Sequence, residues 1–257
     1  MAQLSTLDGT EHHTMKSGLL IRVGIDSTSA SGSWNAPCTK DGRFCYVPIR
    51  ESESSGRGSE FDRHYSEFRP HAESFGVQWP SHLAGTCHLD PDFAHLTYGD
   101  ANNRGKRIRE ILAPGDFIVF WAGLRSVESG QIICSIIGFY LVSFIANATE
   151  IGCMDWHRNA HTRRLLIPDR EDVVVFAKPE SSGRLRRHIP IGEHRDRAQR
   201  IFPELLSAWG QFQKKDGELL RDGYIQLGGA PPIFRRPEKF LDWFKNQKPE
   251  LVHANNI

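Results

Sequence analysis

Apolar residues along the chain fall in short blocks separated by long polar stretches, and the period inside each block separates strands from helices. GLLIRVGID, residues 18–26, is a nearly unbroken apolar run that ends in a carboxylate, and it predicts a buried strand near 18–25. DFIVFWAGL and QIICSIIGFYLVSFI flank the polar loop SVESG, so strands near 117–122 and 132–145 are expected to pair as a hairpin. The second apolar run, IICSIIGFYLVSFIANA, extends for about 17 residues, at the lower margin for a spanning helix. Its β-branched and aromatic residues, with Gly138 in the centre, fit one long strand or two short ones, and no membrane crossing is expected. DVVVFA predicts a strand near 172–177, SSGRLRRHIPI a basic turn leading to an edge strand, and RFCYVPI a short strand after the Asp41-Gly42 turn.

Three blocks carry a helical period. RGKRIREIL places Ile108, Ile111 and Leu112 on one face and stops before Pro114, predicting a helix near 104–112. ELLSAWGQFQKK aligns Leu205, Trp209 and Phe212 over 203–214. PEKFLDWF has Pro237 in its first turn and offers Phe240, Leu241 and Phe244, predicting a helix near 237–245. Residues 51–69 read as a surface loop or a short exposed helix, and the aromatic and acidic stretch from Ser74 to Asp100 as irregular chain folded against the core. Residues 1–17 form a polar, flexible N-terminal segment. No later linker forces a boundary, so 18–257 is expected to be a single domain. The fold class is mixed α/β (α+β): a curved mixed sheet with peripheral helices and long irregular insertions.

Composition supports a packed interior, since 39% of residues are hydrophobic and 15 Phe and 6 Trp are among them. The net charge of +1 hides an asymmetry. Residues 1–128 carry 13 Lys/Arg against 16 Asp/Glu, and residues 129–257 carry 19 against 15, so positive potential is expected from the second half. The cysteines at 38, 45, 87, 134 and 153 form no CxxC pair, and the chain does not open on a basic region followed by an apolar one. A reducing, cytoplasmic setting fits best.

Four constellations carry candidate chemistry. Asp26, with Ser27 and Thr28, ends the first strand, where a carboxylate and hydroxyls either orient a ligand or cap the turn. HLDPDF brings His88, Asp90 and Asp92 together around Pro91; paired carboxylates suit acid–base work, glycosidic cleavage or a structural turn. His82, His88 and His95 show no standard ligand spacing, so no metal is expected. WHRNAHTRR supplies Trp156, Asn159, His161, Arg163 and Arg164: an aromatic to stack, an amide to read a base edge and guanidinium groups for phosphate. Six arginines lie between 184 and 200 against only Glu193 and Asp196. Of these, Arg184, Arg186 and Arg187 are candidates for a nucleic-acid backbone, or for a solvated face. There is no phosphate loop and no nucleophile elbow.

The segment GIDSTSASGSWNAPCTKDGRFCYVPI resembles the opening of the nucleotide modification associated domain 3 family, and CHLDPDF and APGDFIVFWAG are similar to its later pattern. ASGSWNAP departs from the family's paired glycines after the serine. The resemblance implies a role beside enzymes that make or process modified nucleotides, on phage or mobile DNA. It carries over Asp26 and Ser27 from the opening motif and His88, Asp90 and Asp92 from the second. The GDFIVFW…SIIGFYLVSF arrangement also resembles the strand pair of PUA-like barrel modules that bind modified bases. The expected function is recognition or processing of a modified nucleobase in DNA, RNA or a nucleotide, by hydrolysis of an N-glycosidic bond if the protein is an enzyme. In that case Asp26 or Asp92 activates water or stabilises the sugar's charge, Asn159 and His161 hold the base, and Arg163 and Arg164 hold phosphates. A non-catalytic modified-base reader and a structural or interaction protein stay open, and no cofactor is implied.

Overall fold

The structure, a computed structural model, describes residues 16–26, 34–53, 56–166, 170–226 and 230–257. The expected N-terminal segment up to residue 15, and Ser27 and Thr28, lie outside the described residues.

Three long or central strands set the architecture. β1 (Gly18–Arg22) runs parallel to the central strand Phe117–Ser126, which pairs antiparallel with Ile132–Asn147 across the SVESG turn. Between β1 and that hairpin the chain makes β2 (Pro37–Cys38), β3 (Ile49–Arg50), β4 (Arg63–His64), α1 (Tyr65–Glu73), β5 (Thr86–His88), β6 (Thr97–Asp100) and α2 (Asn102–Ile111). The hairpin strands are therefore β7 and β8. After them come α3 (Ala160–Arg163), β9 (Val173–Ala177), β10 (Gly183–Arg195), β11 (Ala198–Ile201) and α4 (Pro203–Trp209). β12 (Phe212–Gln213), β13 (Ile233–Phe234), α5 (Pro237–Asn246) and β14 (Leu251–Val252) complete the order.

The main sheet runs β11-β10-β8-β7-β1-β13-β12, and a small second sheet runs β3-β5-β4. Side chains alternate across the main sheet, so the central strands β1, β7 and β8 each feed two cores. Phe117, Val119 and Trp121 of β7 join one, with Trp209, Phe240 and Phe244 from α4 and α5. Ile118, Phe120, Ala122 and Leu124 join the other, with Tyr65, Phe68 and Ala72 of α1 and with Tyr46, Leu89 and Phe93 from the insertions. Burial on both faces explains why the sequence of β7 is continuously apolar rather than alternating.

The mixed α/β class, the strands at 18–22, 117–126, 132–147 and 173–177, and helices at 102–111 and 237–246 agree with the sequence pattern. Several details differ for identifiable reasons. The sheet is not closed into a barrel among the described residues, so the PUA-like closure is not present. β10 is no edge strand, because it pairs with β8 on one side and with β11 and β14 on the other. Residues 65–73 are not an exposed helix, since α1 buries Tyr65, Phe68 and Ala72. RFCYVPI contributes only an isolated bridge between Cys38 and Phe44, followed by β3. The helix predicted over 203–214 ends at Trp209. Gly210 takes the left-handed conformation that closes a helix (φ 79°), its N–H returns to Leu206 and Ser207, and the chain turns into β12.

Candidate functional site

β5 of the small sheet, the β6–β9 pair and α3 bring three sequence neighbourhoods together. β3 pairs with β5 with Ile49 opposite His88, which places Glu51 beside the His88 ring. Asp90 follows two residues after β5. β6 pairs with β9 so that Asp100 faces Val173, which brings Asp172 alongside. Asn159 caps α3, its side chain accepting the His161 N–H at 2.9 Å, and so aims the His161 ring into the same space.

Asp90 is the centre of this cluster. Its two carboxylate oxygens each lie 2.8 Å from the Gly99 N–H, and Asn159 Nδ2 donates to it at 3.4 Å. His161 Nε2 stands 3.4 Å from Asp90 Oδ2, and His88 Nε2 stands 3.8 Å from the same oxygen. Each imidazole is held from behind by a second carboxylate. His88 Nδ1 meets Glu51 Oε2 at 2.8 Å, and His161 Nδ1 meets Asp172 Oδ1. Each imidazole is thus anchored through Nδ1 and presents Nε2 to Asp90, and Arg164 Nη2 also stands 3.0 Å from His88 Nδ1.

Two arginines close the arrangement into a ring. Arg164 bonds Glu51 at 3.0 Å and pairs with Glu53 at 3.5 Å; Arg170 grips Glu53 with two 2.8 Å bonds and reaches Asp172 at 3.1 Å. Burial dominates the electrostatics of the centre. It pushes the Asp90 carboxyl well above the usual carboxylate range, against the hydrogen bonds from Gly99. It also pushes His88 down to about 4, against the hydrogen bond to Glu51. Glu51 behaves in the opposite sense: burial opposes its charge, but His88 and Arg164 outweigh that and hold it at about 2.

Not every residue predicted for the site is in this cluster. Asp92 is 2% exposed and belongs to its own turn, with its carboxylate accepting from the Ala94 and His95 backbone, His95 Nδ1 and Asn255 Nδ2. Asp26 is ion-paired with Arg22. None of the groups that hold Asp26 also holds Asp92 among the described residues. Asn159 is 1% exposed, and its Nδ2 is taken up by Thr97 Oγ1 and Asp90 Oδ1. Trp156 is half-buried, donates to the Ile151 carbonyl at 3.0 Å and lies under the Arg57 guanidinium. Arg163 donates to the Phe61 carbonyl, and both it and Arg164 are buried. Arg184 is fully buried, its guanidinium 3.8 Å from the Phe44 ring centroid and bonded to the carbonyls of Phe44 and Leu185, so it cannot reach a nucleic-acid phosphate. Arg186 and Arg187 are exposed beside Glu250 and Asp41.

Glu51, Glu53, Gly99, Arg170 and Asp172 are not among the residues that the sequence singles out, whereas Arg164 is. The one linear trace of Asp172 and Glu51 is a carboxylate standing next to a strand, which many surface turns share. A groove of about 430 Å³ lined by Arg107, Lys214, Lys215, Asp216 and Ala230 contains none of the predicted site residues. The profile of the nucleotide modification associated domain 3 family matches residues 18–224, which include every residue of the ring. No curated protein and no solved structure matches the chain.

Proposed function

Because the chain belongs to the nucleotide modification associated domain 3 family, we propose that it recognises or processes a modified nucleobase carried in DNA, RNA or a free nucleotide, by hydrolysis of the N-glycosidic bond. The observation that supports a reaction is the convergence of His88, Asp90 and His161 from two distant segments, with both imidazole Nε2 atoms facing one carboxylate. Such a cluster holds a water and accepts its proton. Attack on the sugar's anomeric carbon forms the C–O bond and breaks the C–N bond, and the proton leaves with the base. In this reading the water-activating role moves from Asp26 and Asp92, which are held by Arg22 and by a turn, to the Asp90 cluster.

The test is incubation with modified DNA and with free modified nucleotides, followed by mass analysis of released bases. Asp90→Asn is expected to lower release at least about a hundredfold with the thermal midpoint little changed. Tight binding without release from the wild-type protein would eliminate the hydrolase. A non-catalytic reader has one observation in its favour: His88, Asp90 and His161 are 6%, 7% and 3% exposed, so a substrate has to displace their cover to reach them. Base release that disappears in the Asp90 variant would remove that alternative.

Contact with a polymer is tested separately. Arg186 and Arg187 project into solvent, and their side chains are 50% and 64% exposed despite their ion pairs. Exposed pairs of this kind contribute little to stability, so both arginines are available to phosphate. Replacing both with alanine is expected to weaken DNA or RNA binding several-fold, to flatten its salt dependence and to leave mononucleotide binding unchanged. Equal loss for both ligands would place them in the base pocket; no loss for either would leave them as a solvated face.

A further inference from the structure

We propose that His88, Asp90 and His161 form a binding site for one divalent transition-metal ion, with Glu51 and Asp172 as the carboxylates that orient the two imidazoles. The inference rests on the geometry of the cluster and not on the nucleotide reading.

Four observations point the same way. First, one ligand atom from each of the three residues lies within 4.8 Å of the other two, and all three residues are buried. Two ligand atoms about 2.1 Å from a shared ion at a tetrahedral angle are about 3.4 Å apart. The Nε2-to-Oδ2 separations of 3.4 and 3.8 Å therefore need only a small contraction. They are also long for direct hydrogen bonds between nitrogen and oxygen.

Second, both imidazoles have the support that metal-bound histidines carry. Each Nδ1 meets a carboxylate, Glu51 for His88 and Asp172 for His161, which fixes the ring orientation and turns Nε2 inward. Two ring nitrogens and a carboxylate oxygen then face one another at separations of 3.4 and 3.8 Å.

Third, the ring is short of positive charge. Its carboxylates are Glu51, Glu53, Asp90 and Asp172, and its guanidinium groups are Arg164 and Arg170. Metal binding requires Asp90 as a carboxylate and both Nε2 atoms free of protons; in that bound state the four carboxylates exceed the two guanidinium groups by two charges, which a dication balances. Buried charge without such balance is costly.

Fourth, the backbone approaches Asp90 in a way that only glycine permits. A Cβ at position 99 would stand 2.6 Å from Asn159 Oδ1 and 2.8 Å from His161 Cγ. The Gly99 N–H donates to both Asp90 oxygens, and Oδ2 also faces the imidazoles.

Two nitrogens and one carboxylate oxygen select the ion class. Hard cations such as Mg2+ and Ca2+ take oxygen ligands, whereas imidazole suits Zn2+, Fe2+, Co2+ and Ni2+. Three protein ligands also leave a position for water, the pattern of catalytic rather than closed structural sites.

The experiment uses the full chain stripped with a chelator and titrated with Co2+, then Zn2+, without nucleotide. Visible d–d bands saturating at one equivalent, bleached by Zn2+, are expected. His88→Gln and Asp90→Asn should each lower affinity by more than a hundredfold, and Asp172→Asn, which removes only an orienting group, by about ten- to a hundredfold. X-ray absorption on the Zn2+-loaded wild-type protein should show two imidazoles and no sulfur, a readout that stands even if a ligand variant fails to fold. The proposal is overturned if neither ion binds at stoichiometric concentration, if binding survives both ligand substitutions, or if sulfur appears in the coordination shell. A protein that binds metal in this way yet neither binds nor cleaves a nucleotide keeps this inference and loses the functional reading. Nucleotide binding with no metal site does the reverse.

Discussion

Arg184→Ala is expected to destabilise the protein by about 3–5 kcal/mol, the range for removing one member of a buried polar network. The guanidinium is fully buried between β10 and the loop carrying Phe44. It bonds the carbonyls of Phe44 and Leu185 at 2.7 and 2.9 Å and stacks on the Phe44 ring. Alanine would leave two buried acceptors unpaired, remove the cation–π contact and open a cavity, and all three effects have the same sign. Burial already pushes Arg184 down to about 10, a measure of how little solvent reaches it. Denaturant unfolding reads the loss directly. Nucleic-acid affinity per folded molecule should stay at the wild-type value, in contrast to the Arg186/Arg187 double variant. A stable Arg184→Ala protein with weakened DNA binding would mean that the side chain reaches solvent after all.

Gly99→Ala is the second substitution with a large expected effect. Its Cβ would overlap the Asn159 amide and the His161 ring, both anchored by other bonds and unable to yield independently. Overpacking of this kind costs about 1–3 kcal/mol, and here the upper end is expected because the displaced groups also hold Asp90. For a chain of this size that is a fall of about 4–10 °C in Tm. Gly152→Ala is the control: a Cβ there meets nothing within 4 Å, φ is −69°, and the change should stay within about 0.5 kcal/mol. Thermal unfolding of the two variants side by side checks the comparison. Equal stability would mean that Asn159 and His161 are free to move away.

The two substitutions also mark where linear reasoning succeeded and where it could not. The 184–187 run was legible as basic, but nothing in GRLRRHIPI distinguishes the buried Arg184 from the exposed Arg186 and Arg187. Burial depends on β10 lying inside the sheet, with β8, β11 and β14 as neighbours, and on Phe44 arriving from a loop 140 residues earlier. HLDPDF and WHRNAHTRR were each legible as chemistry. Within the first, however, the residue that joins the histidine cluster is Asp90 rather than Asp92. Asp92 closes its own turn and bonds Asn255 near the far end of the chain, whereas Asp90 meets Gly99 and the imidazoles.

By itself the sequence determined the mixed α/β class, the central hairpin, the helices at 102–111 and 237–246 and the family to which residues 18–224 belong. Those features are written in hydrophobic period, turn residues and short motifs, which act over a few neighbouring positions and can be read there. Tertiary structure alone decided that the sheet stays open, that β10 is interior and that Glu51, His88, Asp90, His161 and Asp172 close around one point. That closure joins residues as far as 121 positions apart through the pairing of β3 with β5 and of β6 with β9. Strand register between distant segments is set by the packing of both faces of the sheet, a property that no local window of the chain contains.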